Sequence, residues 1–305
     1  MSYSPPTPRD SHIPGPGESW TPIRLTRWSG DYLIEKGVEN GRLEAELLLA
    51  EILEVARLDL YLQFDRPVRP PELKAFKEYL LRRANREPLQ YILRRTTFRE
   101  LELRTDRRAL IPRPETEVLV GEVLTRIRDR NSDLSGLDVG TGSGAIALSL
   151  LKEGSFGTFV ATDPSSAALD LARENAHALG FGEVLDLRQG SLFDPLAPGE
   201  RFDVIVSNPP YVPGSEEYSL QPEVRDWEPK SALVAGPAGL DVVLPLVRAA
   251  PSSLAPGGLF ATEIGDGQGT RVARAMEETG GFLNVQVLPD LAGRERVVLG
   301  VASTR

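Results

Sequence analysis

The sequence has no cysteine and only two histidines among its 305 residues. Without cysteine the chain cannot form disulfides, zinc–thiolate sites, iron–sulfur clusters or a thiol nucleophile. A histidine-rich metal site or a Ser-His-Asp hydrolase would depend on His177, because His12 lies in a segment that we predict to be flexible. The composition therefore predicts a reaction that uses neither a metal nor a histidine base.

Long apolar runs are lacking as well. No run approaches the roughly 18 residues that a membrane-spanning helix requires, and the start of the chain has neither the basic nor the apolar region of a secretory signal. With 41% hydrophobic and 26% charged residues, the composition is that of an ordinary globular protein. We therefore expect a cytoplasmic protein of two domains that does not bind membranes.

Changes in composition divide the chain into four segments. Residues 1–22 contain six prolines and little that can pack, which predicts a flexible tail. Apolar residues recur at helical spacing over 23–95, beginning with Leu43, and predict a small helical domain. Alternating residues predict a hairpin connection over 96–113. Residues 114–305 form the domain in which we expect the site.

This last domain alternates short apolar runs with helix-length segments. The order is typical of a mainly parallel sheet covered by helices on both faces, so we predict an α/β, doubly wound fold with a seven-stranded sheet. Only a short turn separates the last two strands, which predicts an antiparallel hairpin at the sheet edge. The predicted strands are residues 137–139, 159–162, 184–188, 202–206, 258–264, 284–288 and 296–301.

A glycine-rich turn follows the first of these strands. Gly140, Gly142 and Gly144 carry no Cβ, so backbone N–H groups and the start of the next helix can come close to a ligand there. The motif alone leaves three interpretations open. They are a nucleoside-type cofactor site, a dinucleotide site of the G-x-G-x-x-A type, and a tight structural turn.

Asp163 ends the next predicted strand. At the carboxyl edge of the sheet its carboxylate can accept hydrogen bonds from both hydroxyls of a ribose. The same residue can cap the helix that begins near Pro164. We expect the ribose contact, because the glycine-rich turn lies just upstream, and a capping role is compatible with it.

The motif Asn208-Pro209-Pro210-Tyr211 ends a later predicted strand and carries the most information. The two prolines stop the strand pairing and fix the backbone. The Asn208 side chain and the Pro209 carbonyl then become rigid acceptors, each able to bind one hydrogen of an NH₂ group, while Tyr211 offers a face for a planar amide or base. The alternative is a plain Pro-Pro turn after a strand.

Two further features stay open at this stage. Glu263, at the end of a later strand, faces the same edge as Asn208 and either shapes the site or accepts a hydrogen bond behind it. The loop over 212–231 contains Trp227 and Glu228 and is either a substrate lid or an irregular loop anchored by a packed tryptophan.

With these motifs in place, the sequence resembles the class I S-adenosylmethionine methyltransferases that modify planar nitrogens. It resembles most the bacterial HemK family, the release factor glutamine methyltransferases, from about residue 42 to residue 300. The matching motifs lie at residues 43–50, 86–93, 110–117, 140–144, 207–211, 263–268 and 290–296.

The resemblance implies a Rossmann-like fold, a helical domain that docks the protein substrate, and a defined reaction. S-adenosylmethionine would give its methyl group to the side-chain amide of the glutamine in the Gly-Gly-Gln motif of class I peptide chain release factors. S-adenosylhomocysteine would be the product, and no metal would take part. The implied catalytic residues are Asn208, Pro209, Pro210 and Tyr211, and the implied cofactor-binding residues are Gly140, Thr141, Gly142, Ser143, Gly144, Asp163, Leu192 and Asn208.

The sequence departs from the family pattern at two places. Ser191 replaces the acid that usually precedes the large residue near the adenine, here Leu192, which puts a hydrogen bond to the adenine amino group in doubt. Arg94 replaces the glycine that usually enters the hairpin and adds charge there. Neither change touches the residues from Asn208 to Tyr211.

Other functions are compatible with parts of the sequence. An N6-adenine DNA or RNA methyltransferase presents the same NH₂ geometry, but residues 114–305 carry 15 Lys and Arg against 27 Asp and Glu. That balance disfavours direct nucleic-acid binding. A glutamine methyltransferase for a ribosomal protein, a nicotinamide-dependent oxidoreductase and a non-catalytic binding protein are the further alternatives. Binding of S-adenosylmethionine, of NAD or of neither separates these classes.

Overall fold

The computed structural model describes residues 13–15, 17–130 and 133–303. The contacts divide the chain after Arg94 into two units, so the hairpin belongs to the second unit. Residues 1–12 of the predicted tail lie outside the described residues. Within the described ranges, no helix is both long and apolar enough to cross a membrane.

The first unit is helical. Its helices α1 and α2 approach closely, because a Cβ on Gly30 would lie 2.8 Å from the Cα of Arg42 and a Cβ on Gly41 would lie 2.6 Å from the carbonyl oxygen of Gly30. Proline in the first turn suits the start of α1 and of α4. The helices are α1 (Pro22–Glu35), α2 (Gly41–Leu53), α3 (Asp59–Leu62), α4 (Pro70–Ala84) and α5 (Leu89–Leu93).

Helix α2 lies where the apolar spacing predicts a helix, but the spacing does not show which of its faces is buried. Leu43, with which the apolar spacing begins, is 43% exposed, whereas Leu48 and Leu49 are fully buried. The stretch from 47 to 50 is apolar on every side, so spacing alone does not select the buried face. Packing against the neighbouring helices decides it.

The second unit contains a sheet of seven described strands in the order β5-β4-β3-β6-β7-β9-β8. The first five of these pair in parallel, and β9 runs antiparallel to both β7 and β8. The predicted mainly parallel sheet with an antiparallel edge hairpin is confirmed. The strands are β3 (Leu134–Val139), β4 (Phe156–Asp163), β5 (Leu185–Gln189), β6 (Phe202–Ser207), β7 (Leu254–Glu263), β8 (Phe282–Pro289) and β9 (Glu295–Ala302).

Helices cover both faces of this sheet. On β6, Val204 and Val206 pack in one core with α6, α7 and α8, whereas Ile205 packs in a second core with α10 and α11. Successive strand residues therefore serve opposite faces, as a doubly wound sheet requires. The helices are α6 (Pro114–Ile127), α7 (Ala145–Glu153), α8 (Ser166–Ala178), α9 (Pro222–Arg225), α10 (Val243–Ser253) and α11 (Gly269–Glu278).

The hairpin consists of β1 (Arg95–Phe98) and β2 (Leu101–Arg104). It is held to α8 by Asn175, whose side-chain oxygen accepts from the Arg104 N–H at 2.7 Å and whose NH₂ group donates to the Arg104 carbonyl at 3.1 Å. The same NH₂ group donates to the Ser143 carbonyl at 2.9 Å. Asn175 therefore connects the hairpin to the glycine-rich turn.

The order of the strands fixes where a ligand can bind. The chain winds outward in opposite directions from β3, to β4 on one side and to β6 on the other. In such sheets a crevice opens beyond the carboxyl ends of the central strands. The glycine-rich turn, Asp163 and Asn208 follow or end these three strands, and they meet at this crevice.

Candidate active site

The glycine-rich turn leaves β3 and enters α7 at Ala145. Gly140, Gly142 and Gly144 have φ values of 78°, 56° and 84°, a region that side chains disfavour. The N–H groups of Gly140 and Thr141 donate to the Thr162 carbonyl at 2.8 and 3.0 Å. These hydrogen bonds hold the turn to the end of β4. The positive φ values explain why the three positions are glycine.

A buried acid supports the turn from below. Asp138, which is fully buried, accepts a hydrogen bond from the Thr141 hydroxyl at 2.7 Å. Burial raises the pKa of Asp138 to about 7. The motif therefore contains a structural acid besides its glycines, one that was not among the predicted site residues.

The space over the turn suits a cofactor held by backbone groups. A Cβ built on Gly140 would meet no atom within 4 Å, and Gly140, Thr141, Gly142 and Ser143 line an open cleft of about 900 Å³, the solvent at its mouth included. Gly144 is different, because its Cβ would lie 3.1 Å from Leu148. That residue serves the packing of α7, while the other four border the cleft.

Asp163 lies where β4 ends and lines the same cleft. One carboxylate oxygen accepts from the Gly142 N–H at 2.9 Å, and the other accepts from the Ser165 N–H at 2.8 Å. Burial raises the pKa of Asp163, and these two hydrogen bonds oppose the rise. The N-cap of α8 is Ser165, so Asp163 holds the turn before that helix rather than capping it.

The predicted Asn-Pro-Pro-Tyr motif begins where β6 ends. Ser207 donates to the Val139 carbonyl at 2.6 Å and so ties the end of β6 to the end of β3. Asn208 and Pro210 are half-buried and line the cleft, whereas Pro209 is buried. Asn208 and Pro210 of the motif therefore line the same cleft as the glycine-rich turn.

Hydrogen bonds hold both the side-chain hydroxyl and the backbone carbonyl of Tyr211. Its hydroxyl donates to Glu263 at 3.1 Å, and its carbonyl accepts from the Gln268 side chain at 3.0 Å. Burial raises the pKa of the Tyr211 hydroxyl, and the charge of Glu263 adds to the rise. Tyr211 is thus a neutral, fixed side chain.

Behind the motif, four side chains form one hydrogen-bonded network, which we call the Asn208–Glu263 network. The Asn208 NH₂ group lies 3.0 Å from the Thr116 hydroxyl, and that hydroxyl lies 2.7 Å from Glu263. Tyr211 completes the network through the second oxygen of Glu263. Glu263 is fully buried, and burial raises its pKa to about 7. Both earlier interpretations of Glu263 fit this position.

The loop after the motif is fastened to the segment before α6. Glu228, 6% exposed, forms an ion pair with Arg113 and accepts from the Ile111 N–H at 3.3 Å. The Arg107 guanidinium lies 4.1 Å from the centre of the Trp227 ring. Of the two interpretations of this loop, the structure agrees with the anchored one.

The structure brings most of the predicted site residues together, but not all of them. Those that line the cleft are Gly140, Thr141, Gly142, Ser143, Asp163, Asn208 and Pro210. The predicted site residues that do not line it are Gly144, Pro209, Tyr211 and Leu192. Leu192 packs against the core on the α10 and α11 side, and its carbonyl accepts from Thr162 at 3.2 Å. His177 is exposed on α8.

One wall of the cleft consists of residues that no local sequence pattern indicates. Part of this wall comes from the segment before α6 and the start of that helix, and part from the anchored loop. The residues are Arg108, Ala109, Leu110, Pro112, Arg113 and Thr116, and Pro229, Ser231 and Ala232. Residues 110–117 stood out only as part of the resemblance, because no local pattern shows that the start of α6 lies against the ends of β6 and β7. Residues 13–15, 17–130 and 133–303 contain no group of three acids or histidines able to hold a metal.

Comparison with solved structures defines the class of the fold. The hMettl16 catalytic domain, in a complex with the MAT2A 3′UTR hairpin 6, superposes with a TM-score of 0.56 at 17% identity. The match covers 73% of this chain and 81% of that one. Together with the sheet order and the glycine-rich turn, it defines the Rossmann-like fold that methyltransferases share.

The sequence comparisons identify the family. The PrmC N-terminal domain family matches residues 24–93, and the methyltransferase small domain family matches residues 116–224. The release factor glutamine methyltransferase of Geobacter sulfurreducens is 44% identical over 283 residues, 93% of this chain and 97% of that protein. The one from Rhodopirellula baltica is 38% identical over 92% of this chain and 95% of its own. The chain belongs to the family of S-adenosylmethionine-dependent release factor glutamine methyltransferases, which confirms the resemblance.

Proposed function

We propose that this protein transfers a methyl group from S-adenosylmethionine to the side-chain amide nitrogen of the glutamine in the Gly-Gly-Gln motif of class I peptide chain release factors. Family membership supports the reaction class. The observation that carries the proposal is the setting of Asn208. Its NH₂ group is bound to Thr116, and its oxygen has no hydrogen-bond partner among the described residues although it belongs to a side chain that lines the cleft.

The reaction is difficult because its nucleophile is the nitrogen of an amide. An amide nitrogen shares its lone pair with the carbonyl group and is therefore unreactive. In the proposed site the Asn208 oxygen and the Pro209 carbonyl each accept one hydrogen of the substrate NH₂ group. Acceptors placed in this way hold the nitrogen in one orientation and stabilise the positive charge that develops on it. When the methyl group has bonded to the nitrogen and left the sulfonium as a thioether, one of these two hydrogens leaves as a proton to solvent, so no histidine base is required.

The cofactor would supply an electrophilic methyl group on a sulfonium, and this chain would bind and orient it. The turn from Gly140 to Ser143 would contact its methionine part through backbone groups. Each oxygen of Asp163 accepts one backbone N–H and keeps a lone pair for a ribose hydroxyl. This arrangement needs no metal, and S-adenosylhomocysteine would be the product.

The first unit would dock the protein substrate. Leu58, Leu62 and Phe64 expose 70%, 71% and 59% of their surface within one short stretch of this unit. Exposed apolar side chains that lie close together are typical of protein-binding surfaces. In the second unit the excess of acids, 27 against 15 basic residues over 114–305, favours a protein over a nucleic acid as the direct partner.

Methylation of purified release factor tests the proposal. The protein, S-adenosylmethionine and an unmethylated release factor would be incubated, and the peptide that contains Gly-Gly-Gln analysed by mass spectrometry. We expect one added methyl group on that glutamine and none on a release factor in which it is replaced by glutamate. Methylation of a ribosomal protein or an adenine oligonucleotide, with the release factor unmodified, would contradict it.

A further inference from the structure

An asparagine side chain can turn either its oxygen or its NH₂ group towards a neighbour, because the two ends have nearly the same shape. The proposed reaction needs the oxygen of Asn208 to face the substrate. An Asn208 NH₂ group in that place would be a donor facing the NH₂ group of the substrate, which is also a donor, and no hydrogen bond could form. The rotation of this side chain must therefore be fixed from behind. The Asn208 NH₂ group lies 3.0 Å from the Thr116 hydroxyl, which lies 2.7 Å from Glu263.

The Thr116 hydroxyl has one hydrogen to donate. When that hydrogen goes to the carboxylate of Glu263, the hydroxyl oxygen can only accept, so Asn208 must turn its NH₂ group towards it. The second oxygen of Glu263 accepts from the Tyr211 hydroxyl at 3.1 Å. An ionised Glu263 thus satisfies every member of the network, with the oxygen of Asn208 left for the substrate.

We infer that Glu263 is a positioning residue: its ionised form, acting through the Thr116 hydroxyl, keeps the oxygen of Asn208 directed to the substrate. The inference rests on the proposed function. A proton on the oxygen that faces Thr116 would be donated to that hydroxyl, whose own hydrogen would then turn to Asn208 and rotate the amide. A proton on the other oxygen would displace the hydrogen that Tyr211 donates. Either form disturbs the substrate site.

The surroundings of Glu263 set where this ionisation occurs. Burial raises the pKa of Glu263 to about 7, and the hydrogen bonds from Thr116 and Tyr211 oppose the rise. The positive charge of Arg296 on β9 lowers the pKa, whereas the negative charge of Glu115 on α6 raises it. The ionised fraction therefore grows as the pH rises through about 7 and falls below it.

Two substitutions at Thr116 separate positioning from packing. Thr116→Val keeps the shape and removes the hydroxyl, and Thr116→Ser keeps the hydroxyl. Single-turnover methyl transfer to the release factor would be measured with the full chain saturated with S-adenosylmethionine, over a pH range that spans 7. For the wild type and Thr116→Ser we expect a rate that falls about tenfold per pH unit below the midpoint and levels off above it.

For Thr116→Val we expect a plateau rate at least about tenfold lower, no midpoint near that of the wild type, and unchanged affinity for S-adenosylmethionine. A Thr116→Val variant with the wild-type rate and profile would overturn the inference. A variant that is slower but keeps the wild-type pH midpoint would overturn it too, since the hydroxyl would then only contribute to packing.

A measurement without activity separates this inference from the proposed function. The chain contains six asparagines, so selective ¹⁵N labelling gives few side-chain NH₂ signals. In the cofactor-bound wild type we expect the Asn208 signal to shift with pH, with the midpoint of Glu263. Thr116→Ser should show the same shift, and Thr116→Val should not. If the wild type does not methylate release factor, the proposed function fails. The titration of the Asn208 signal still tests whether Glu263 acts on Asn208 through the Thr116 hydroxyl. An Asn208 signal of the wild type that does not respond to pH would overturn the inference about Glu263.

Discussion

Arg113 and Glu228, 115 positions apart in the sequence, form an ion pair at the edge of the cleft. The Glu228 side chain is 1% exposed and that of Arg113 is 31% exposed. The pair joins the segment before α6 to the loop after Asn-Pro-Pro-Tyr, and both of these line the cleft. One wall of the cleft therefore depends on a contact that no local sequence pattern shows.

Glu228→Ala should destabilise the second unit. It removes the buried partner of Arg113 and the acceptor of the Ile111 N–H, and such losses cost about 3 to 5 kcal/mol where both partners are buried. Because Arg113 is partly solvated, we expect about 2 kcal/mol, measured by urea unfolding.

Glu216→Ala is the matched control for Glu228→Ala, because Glu216 is an exposed acid in the same loop. It should change the free energy of unfolding by less than about 0.5 kcal/mol. Equal effects of the two substitutions would mean that the ion pair does not anchor the loop.

Asp163→Ala should weaken the binding of S-adenosylmethionine by about 1 to 3 kcal/mol, the loss expected for a buried acceptor of hydroxyl groups. Release of the Gly142 N–H acts in the same direction, since the turn loses one of its contacts. Titration calorimetry measures the change. Asp170→Ala, at an exposed position on α8, should bind normally, and an unchanged affinity in Asp163→Ala would leave Asp163 only a structural role.

The fold and part of the site could be predicted because their signals are local. A strand followed by glycines, a strand ended by an acid and a strand ended by two prolines each indicate the carboxyl edge of a sheet, and the order of strands brings these edges together. Gly140, Asp163 and Asn208 were therefore found. Their assigned roles remain predictions.

The remaining residues depend on contacts between distant elements. Thr116 lies in the first turn of α6 after a Pro-Glu pair, where the sequence indicates only the start of a helix. Its role follows from the approach of β6 and β7, which bring Asn208 and Glu263 to it. The exposure of Leu43 could not be predicted for a related reason, since α2 is apolar around much of its circumference and its neighbours select the buried face.

Asn208→Ala should leave cofactor binding largely intact and lower the rate of methyl transfer by roughly two to three orders of magnitude, as expected when an acceptor that acts in the transition state is removed. Single-turnover transfer to release factor measures the rate, and calorimetry measures the binding of S-adenosylmethionine. Near-normal transfer by this variant would exclude the proposed acceptor role of Asn208.

Tyr211→Phe should move the pH midpoint of methyl transfer upwards. The substitution keeps the ring but removes the hydroxyl that donates to Glu263 at 3.1 Å, and this hydrogen bond lowers the pKa of Glu263. Without the donor the ionised form is less stable, so a higher pH is needed to reach it. A hydrogen bond to a charged group contributes about 1.5 to 3 kcal/mol, which corresponds to a shift of about one to two pH units.

The shift gives Tyr211→Phe a signature that simple damage to the site lacks. At neutral pH the variant should be slower than the wild type, and raising the pH should restore much of the difference, because the carboxylate of Glu263 then forms without its second donor. Tyr218→Phe is the matched control, since Tyr218 is 82% exposed in the following loop, and its profile should coincide with that of the wild type. A Tyr211→Phe variant whose rate falls equally at every pH would mean that the Tyr211 hydroxyl does not govern the ionisation of Glu263.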